Sequence, residues 1–212
     1  MNKPVPANAH SILPLAVLEA MRSLDSPSDE EVAEYVDELL KKRLGLSDTV
    51  AAQIGRYETA VRRDESVSAG ELEQILRLVG RRTDAALVFA DGGRRAARRA
   101  LQRLPALTRW CAHTLPGPVR RAIGFRGARS AAGDVFGALL SKAGKQAAVS
   151  LDLDVASRAT PDGAACAFYA SGVGELLRQL VDFEGTLTHS ACRARGDQRC
   201  EWRSSLTPER RS

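Results

Sequence analysis

The chain has 212 residues, a formal net charge of +5, 44% hydrophobic residues and 27% charged residues. This composition is typical of a globular domain, and no apolar run approaches the roughly 20 residues that a membrane-spanning helix needs. The first residues lack the apolar stretch and cleavage site of a secretory signal, so we expect a cytoplasmic protein. In that compartment the four cysteines are expected to be metal ligands or free thiols rather than disulfides.

Charged residues are distributed unevenly along the chain. Residues 19–75 contain fourteen acids and seven bases, whereas residues 81–129 contain twelve arginines and two aspartates. The arginines could bind carboxylates or phosphates, because a guanidinium pairs bidentately with either. They could equally form a solvated helix face that meets the acidic residues of the same chain. No nucleic-acid-binding motif accompanies the arginines and aromatic residues are few, so no nucleic-acid partner is expected.

Hydrophobic residues in the first 115 positions recur almost throughout at helical spacing. Ser28 and Ser68 each precede a glutamate by three positions, which is the capping-box pattern of a helix N-terminus. Asp91-Gly92-Gly93 is expected to break the helix that begins at Ser68. The predicted helices cover residues 11–21, 28–44, 47–62, 68–90, 94–104 and 106–114.

The pattern changes after residue 115. Residues 123–129 are ambiguous between helix and strand, 134–145 favour a helix, and 149–156 alternate as in a strand with one buried face. A helix is predicted over 166–180, and a hairpin over 185–194 and 199–204. We therefore expect an α+β fold in which a helical N-terminal half packs on a small antiparallel sheet, with a long C-terminal helix and a zinc-clamped final hairpin. The predicted regions are 1–115 (helical), 116–205 (zinc-binding α/β) and 206–212 (frayed tail).

The strongest candidate site lies in the last third of the chain. His189, Cys192 and Cys200 flank a Gly-Asp pair that favours a chain reversal, and Cys166 opens the preceding helix. Thiolates and an imidazole that converge from a hairpin and a helix form a zinc site, with Cys166, His189, Cys192 and Cys200 as its four ligands. One alternative is that Cys166 and Cys192 are buried core thiols, and a second is that His189 lies on a solvated strand face.

Two weaker candidates lie in the helical half. Arg98 and Arg99 belong to the arginine-rich stretch and could pair with an anionic ligand. Trp110 and His113 are three residues apart on one helix and could hold a planar ligand or its metal. Ordinary solvation of the arginines, and core packing of the indole and imidazole, are the alternatives.

Motifs for common enzyme chemistry are missing from the sequence. Gly172-Val-Gly174 lacks the third glycine and the preceding strand of a dinucleotide fingerprint. There is no phosphate-binding loop, no serine elbow and no His-Glu-x-x-His pattern, and the chain has only three histidines. No catalytic residue is therefore predicted.

The segment 166–202 resembles the 4-vinyl reductase domain family, whose members serve in bacteriochlorophyll biosynthesis or as sensory domains of aromatic-responsive bacterial activators. The likeness rests on Cys166 at the start of a long helix and on the pattern Cys192, Gly196-Asp197, Cys200 and Trp202. His189 stands where the family commonly has Glu, and imidazole is also a good zinc ligand. Weaker similarity over residues 8–15, 79–85 and 100–105 favours the bacteriochlorophyll branch.

The resemblance implies a ligand cavity between helices and sheet, a structural zinc and, in many members, a homodimer. It implies a chlorophyll-precursor tetrapyrrole as ligand, either carried or reduced at its 4-vinyl group, with other bacteriochlorophyll-synthesis enzymes as partners. On that view Arg98 and Arg99 would pair with the propionate, and His113 would meet the central magnesium. The alternative is a zinc-containing module that senses small aromatic ligands and acts through a partner.

Overall fold

The computed structural model describes residues 8–26, 44–106, 108, 110, 117–143, 146–151 and 155–206, and within these ranges the fold is α+β. The described helices are α1 (Ile12–Asp25), α2 (Asp48–Arg62), α3 (Ala69–Gly80), α4 (Ala85–Arg103), α5 (Gly117–Phe136), α6 (Val155–Ala159) and α7 (Cys166–Val181). The described strands are β1 (Asn8–His10), β2 (Ser66–Ser68), β3 (Ala138–Ala143), β4 (Gln146–Leu151), β5 (Gly185–Ala191) and β6 (Cys200–Leu206). Every helix in these ranges is too short or too polar to cross a bilayer.

The strands form two antiparallel sheets. β1 pairs with β2, and the larger sheet has the strand order β3-β4-β6-β5. Leu140, Val149 and Trp202 are register partners across three neighbouring strands of the larger sheet and are almost fully buried. Helix α5 packs against β3 and α7 packs against β5, so the helices cover the buried face of this sheet.

Glycine lets the central helices approach closely. A Cβ atom on Gly92 would lie 3.3 Å from the Cα atom of Val17 on α1, and one on Gly93 would overlap the carbonyl oxygen of Phe168 on α7. Because glycine has no side chain, α4 can contact both neighbours backbone to backbone. Helix α4 therefore holds α1 and α7 together in the core.

The predicted helix break at Asp91-Gly92-Gly93 is wrong. Helix α3 ends at Gly80 and α4 runs from Ala85 to Arg103 through both glycines. Glycine costs about 1 kcal/mol in a helix interior relative to alanine. Here the close contacts with α1 and α7 offset that cost, so tertiary packing overrides the local propensity.

Two predictions in the second half also need correction. Residues 123–129, which were ambiguous, are helical within α5. The helix predicted over 134–145 is wrong from Ala138 onward, since Gly137 takes a left-handed backbone conformation (φ 63°) and a strand follows it. The strand predicted over 149–156 ends at Leu151, and Val155 begins the short helix α6.

The remaining element predictions agree with the structure where it describes them. Helices over 11–21, 47–62 and 166–180 correspond to α1, α2 and α7, and the final hairpin corresponds to β5 and β6. The side chain of Ser68 accepts a hydrogen bond from the Glu71 N–H and caps α3, as the sequence predicts. The helix predicted over 28–44, most of that over 106–114 and the tail 207–212 lie outside the described residues. The region boundary at 115/116 also falls there and stays a prediction.

A buried ion pair fixes the turn between α3 and α4. The guanidinium of Arg82 donates to both carboxylate oxygens of Asp25, at 2.9 and 2.7 Å, and also to Asp84. The Gly45 N–H donates to Asp25 at 2.8 Å. Burial acts to raise the pKa of Asp25, but these hydrogen bonds outweigh it and leave that pKa below its ordinary value. Arg82 likewise lowers the pKa of Asp84.

We predict that Arg82→Gln lowers the free energy of unfolding by about 3 kcal/mol, because it leaves the buried Asp25 carboxylate without its guanidinium. Both aspartates have lowered pKa values in the folded protein. Their contribution to the free energy of unfolding is therefore fully present above the ordinary carboxyl pKa and is lost as pH falls below about 4. Urea unfolding at several pH values measures both effects. In the variant the loss of stability on acidification should be smaller than in the parent. Arg95→Gln, which removes a more exposed ion pair with Asp91, is the control and should cost less than about 1 kcal/mol.

Alanine substitutions test the glycine contacts of α4. Gly93→Ala should destabilise the protein by about 2 kcal/mol or more, because the new methyl group meets the α7 backbone. Gly133→Ala on α5 is the matched control, since nothing lies within 4 Å of the added methyl group. It should stabilise by about 0.5 to 1 kcal/mol through helix propensity alone. Equal thermal unfolding of the two variants would contradict this packing account.

Candidate metal centre

Four side chains converge beside the final hairpin. One donor atom each from Cys166, His189, Cys192 and Cys200 lies within 4.8 Å of all the others, and we call this group the thiol–imidazole cluster. The Cys166 sulfur is 3.8 Å from that of Cys200 and 4.0 Å from that of Cys192. These separations are about twice the length of a disulfide bond, so the three thiols are free. The structure therefore brings together all four residues that the sequence predicts as ligands.

The local structure of the hairpin positions Cys192 and Cys200. Cys200 is the first residue of β6, and Cys192 precedes a short 3₁₀ turn over residues 193–195. Gly196 ends that turn in a left-handed conformation (φ 95°), and the Asp197 carboxylate accepts a hydrogen bond of 2.6 Å from the Cys192 N–H. The Gly-Asp pair thus reverses the chain as predicted and fixes the distance between the two cysteines.

Cys166 is held by the tight loop before α7. The Gly163 carbonyl accepts a hydrogen bond from the Cys166 N–H at 3.0 Å, and the Thr160 hydroxyl accepts one from Ala165 at 2.9 Å. Gly163 has a positive φ of 78°, and a Cβ atom there would lie 3.1 Å from the Cys192 sulfur. Glycine at this position therefore permits the turn and leaves room for the sulfur atoms.

His189 contributes from β5, opposite Trp202 in the register of the sheet. Its ring stacks on the Trp202 indole with centroids 4.8 Å apart and planes inclined by 9°. The Nε2 atom of His189 is buried and has no hydrogen-bond partner among the described residues. A buried polar atom without a partner carries a desolvation cost of about 1 to 3 kcal/mol. A bound cation would remove that cost.

The sulfur atoms cannot all ionise without a counter-charge. The hydrogen bond between the Cys166 and Cys200 thiols lowers the pKa of Cys200 and raises the pKa of Cys166. Burial raises the pKa of Tyr169, and negative charge on Cys166 and Cys200 raises it further. A divalent cation would replace the retained protons and let the thiolates form together.

The donor set and its geometry fit a metal ion. Metal–sulfur bonds of about 2.3 Å in a tetrahedral site place sulfur atoms about 3.8 Å apart, close to the separations seen between the cysteines. The three cysteines are at most 1% exposed, and all four donors come from the protein. A tetrahedral ion held here would have no position left for water or substrate, which is the character of a structural site.

Arg98 and Arg99, which the sequence suggests as ligand contacts in the helical half, lie near acidic residues of two different helices. Arg99 forms an ion pair of 2.5 Å with Glu19 on α1, whereas Arg98 lies 3.9 Å from Glu175 on α7. The two guanidinium groups are thus directed at different helices. Trp110 is 59% exposed, and His113 lies outside the described residues.

A groove elsewhere in the protein has the wrong lining for a large apolar ligand. It lies between α2 and β2, with a volume of about 480 Å³. Its walls include Arg56, Arg63, Glu65 and Glu71, and the Tyr57 hydroxyl donates to Glu71. Ligand pockets for apolar molecules are lined mainly by hydrophobic and aromatic side chains. The charged lining of this groove therefore does not suit a tetrapyrrole.

Sequence reasoning did not identify two features of the metal centre. Gly163, whose missing side chain leaves room for the sulfur atoms, ends a Pro161-Asp162-Gly163 stretch. Proline, aspartate and glycine in that order are a turn signal, from which the positive φ could have been anticipated. The stacking of His189 on Trp202 depends on strand register, which the sequence does not determine.

Comparison of the chain with protein-family models, with curated proteins and with solved structures found no match.

Substitution of single cysteines tests the metal centre. We predict one metal ion per chain in protein purified without chelator, lost in Cys192→Ser and in Cys200→Ser. Both variants should also melt at a lower temperature, because metal binding at such a site is coupled to folding. Elemental analysis and thermal unfolding measure the two effects. Cys111→Ser is the control and should retain the metal, because Cys166, His189, Cys192 and Cys200 already supply the four donors of a tetrahedral site. A metal-free parent protein would contradict the prediction.

A second pair of variants separates crowding of the sulfur atoms from backbone strain. Gly163 and Gly196 both have positive φ values, but only Gly163 has a cysteine sulfur within reach of an added methyl group. Gly163→Ala should therefore weaken metal binding about tenfold or more, whereas Gly196→Ala should lose only about 1 kcal/mol of folding stability. Competition with a chromogenic chelator measures the affinity. Equal metal affinities in the two variants would show that Gly163 does not serve the site.

Proposed function

We propose that this protein is a zinc-stabilised, tetrapyrrole-binding protein of bacteriochlorophyll biosynthesis. The observation that carries the proposal is the convergence of Cys166, His189, Cys192 and Cys200. Cys166, Cys192 and Cys200 are positions at which the sequence resembles the 4-vinyl reductase domain family, and His189 stands where that family commonly has Glu. Cytoplasmic location, a homodimer and association with other bacteriochlorophyll-synthesis enzymes belong to the same proposal.

Zinc is the metal that the donor set favours. Three thiolates and an imidazole are soft and borderline ligands, and their tetrahedral spacing suits zinc better than cations that prefer oxygen ligands. The ion would balance two of the three thiolate charges and would give His189 Nε2 a partner. The ion would cross-link α7 to the β5–β6 hairpin. The ligand would therefore bind in another part of the protein.

The proposed ligand is a chlorophyll precursor of the protochlorophyllide type, with a divinyl or monovinyl ring. Among the arginines proposed to pair with its propionate, Arg98 is the better candidate. Its side chain is 61% exposed and only loosely paired with Glu175, whereas Arg99 is already bound to Glu19. His113 remains the proposed contact for the central magnesium.

We favour binding or delivery of the precursor over its reduction. The sequence has no dinucleotide fingerprint, and no residue in it is assigned a catalytic role. Reduction of the 4-vinyl group, as the family name implies, would need an added reductant. Conversion of divinyl to monovinyl pigment in an anaerobic assay with a nicotinamide donor would establish that activity.

Titration with protochlorophyllide tests the proposal. Binding should shift the absorption and fluorescence of the pigment, and Arg98→Ala should weaken binding about tenfold through loss of a charge-assisted hydrogen bond. Arg99→Ala and His113→Ala test the other assigned contacts. Arg63→Ala, at an exposed arginine on the α2–β2 side of the protein, is the control and should bind normally.

The outcome of the titration distinguishes the alternatives. The absence of a spectral shift with the parent protein would exclude the tetrapyrrole assignment. A shift that Arg98→Ala, Arg99→Ala and His113→Ala all leave intact would exclude the assigned residues. Saturable binding of small aromatic molecules in place of the pigment would support the sensory alternative.

A further inference from the structure

The outward-facing side of α5 carries exposed cationic, apolar and small side chains. Val119, Ala122, Arg126, Arg129 and Gly133 are exposed and follow one another at intervals of three or four residues, so they lie along one side of the helix. We call this side the α5 outer face. It extends over about 21 Å at 1.5 Å per residue, and Val119 is 50% exposed. Cationic, apolar and small side chains thus occupy one continuous surface.

The cations on and beside this face have no carboxylate partner within the described part of the chain. Arg121 and Arg126 are exposed, and neither forms an ion pair with another described residue. Arg129 donates its Nε–H to the Leu140 carbonyl at 2.9 Å. Lys142 on β3 lies 4.9 Å from the ring centroid of Phe125, which brings its charge beside α5.

The acids of this region do not neutralise these cations. Asp134, near the end of α5, accepts a hydrogen bond from Ser130. Asp182 pairs with Arg120 at the beginning of the helix. Residues 117–133 contain no other carboxylate. The α5 outer face therefore has a local excess of positive charge.

The arginines of α4 show the opposite behaviour. All five lie within 4.0 Å of a carboxylate, contributed by Asp64, Asp91, Glu19 or Glu175. The α4 arginines are thus paired with carboxylates of the same chain. Arg121 and Arg126 of α5 are instead exposed and have no such partner among the described residues. The sequence places arginines on both helices, and only the structure distinguishes their roles.

We propose that the α5 outer face docks the protein on the surface of an anionic lipid bilayer. Anionic headgroups attract clustered arginine and lysine, and exposed apolar side chains between the cations can enter the headgroup layer. Val119 and the small residues Ala122 and Gly133 allow α5 to lie flat on such a surface. The exposed indole of Trp110 follows Thr108, which lies against Gly127 of α5, and indoles favour the membrane interface.

An acidic protein partner fits these observations less well. The carboxylates of an acidic protein would pair with the cations, but a half-exposed valine among small residues offers such a partner little apolar contact area. An anionic lipid surface can both pair with the cations and bury the apolar side chains. This proposal goes beyond the proposed function and does not depend on it, because docking involves neither the pigment nor the thiol–imidazole cluster.

Vesicle flotation with the full chain tests the proposal. Vesicles of phosphatidylcholine alone are compared with vesicles that contain about one third phosphatidylglycerol, at low and high salt. The parent protein should float with the anionic vesicles only, and high salt should reduce the bound fraction. Arg121→Gln combined with Arg126→Gln should lower the partition coefficient about 25-fold, at about fivefold for each arginine. Neither arginine makes an ion pair with another residue that the structure describes, so the double variant should fold normally.

A matched pair of arginines controls for net charge. Arg22→Gln combined with Arg81→Gln removes the same charge from exposed positions on α1 and after α3 and should bind like the parent. Val119→Asp should weaken binding without removing an arginine. Equal binding to both kinds of vesicle, or an equal loss in the two double variants, would overturn the proposal. Retention on immobilised polyglutamate without vesicle binding would also overturn it, in favour of an acidic protein.

Discussion

The geometry of the final third of the protein depends on one cluster of buried donors. Three thiols and an imidazole nitrogen lie within 4.8 Å of one another where the start of α7 meets the β5–β6 hairpin. Without a cation, the Cys166 and Cys200 thiols hydrogen-bond to each other, and His189 Nε2 has no hydrogen-bond partner among the described residues. A tetrahedral ion would satisfy all four donors and cross-link positions 34 residues apart in sequence. The strand register, the Gly163 loop and the Asp197 turn are all consistent with four donors arranged around one ion.

Close packing of helices supplies the platform for this cluster. Helix α4 contacts α1 and α7 through Gly92 and Gly93, where even a methyl group would meet neighbouring backbone. Helix α7 in turn positions Cys166 at its first turn and packs against β5. Small residues in the helical core and the sulfur atom of Cys166 thus both fix the N-terminal half of α7. The metal centre is therefore joined to the core rather than appended to it.

The sequence predicts features that depend on local chemistry better than features that depend on tertiary contacts. The Ser68 cap and the Gly-Asp turn were predictable because each depends on residues close together in the chain, and the four clustered donors were predictable from their residue types and their spacing around that turn. Gly92 and Gly93 were misinterpreted as a helix break, since their role is to contact helices far away in sequence. The paired state of Arg99 and the outward direction of Arg126 depend on the packing of several helices, which a single sequence does not reveal.

The coordination shell of the metal is the most direct test of this account. X-ray absorption at the zinc edge, on protein purified without chelator, should give three sulfur neighbours at about 2.3 Å and one nitrogen neighbour at about 2.0 to 2.1 Å. His189→Ala should remove the outer-shell scattering of the imidazole ring and leave the three-sulfur shell. A spectrum with oxygen and nitrogen neighbours only, or protein that contains no zinc, would contradict the claim that these four residues form a structural zinc site.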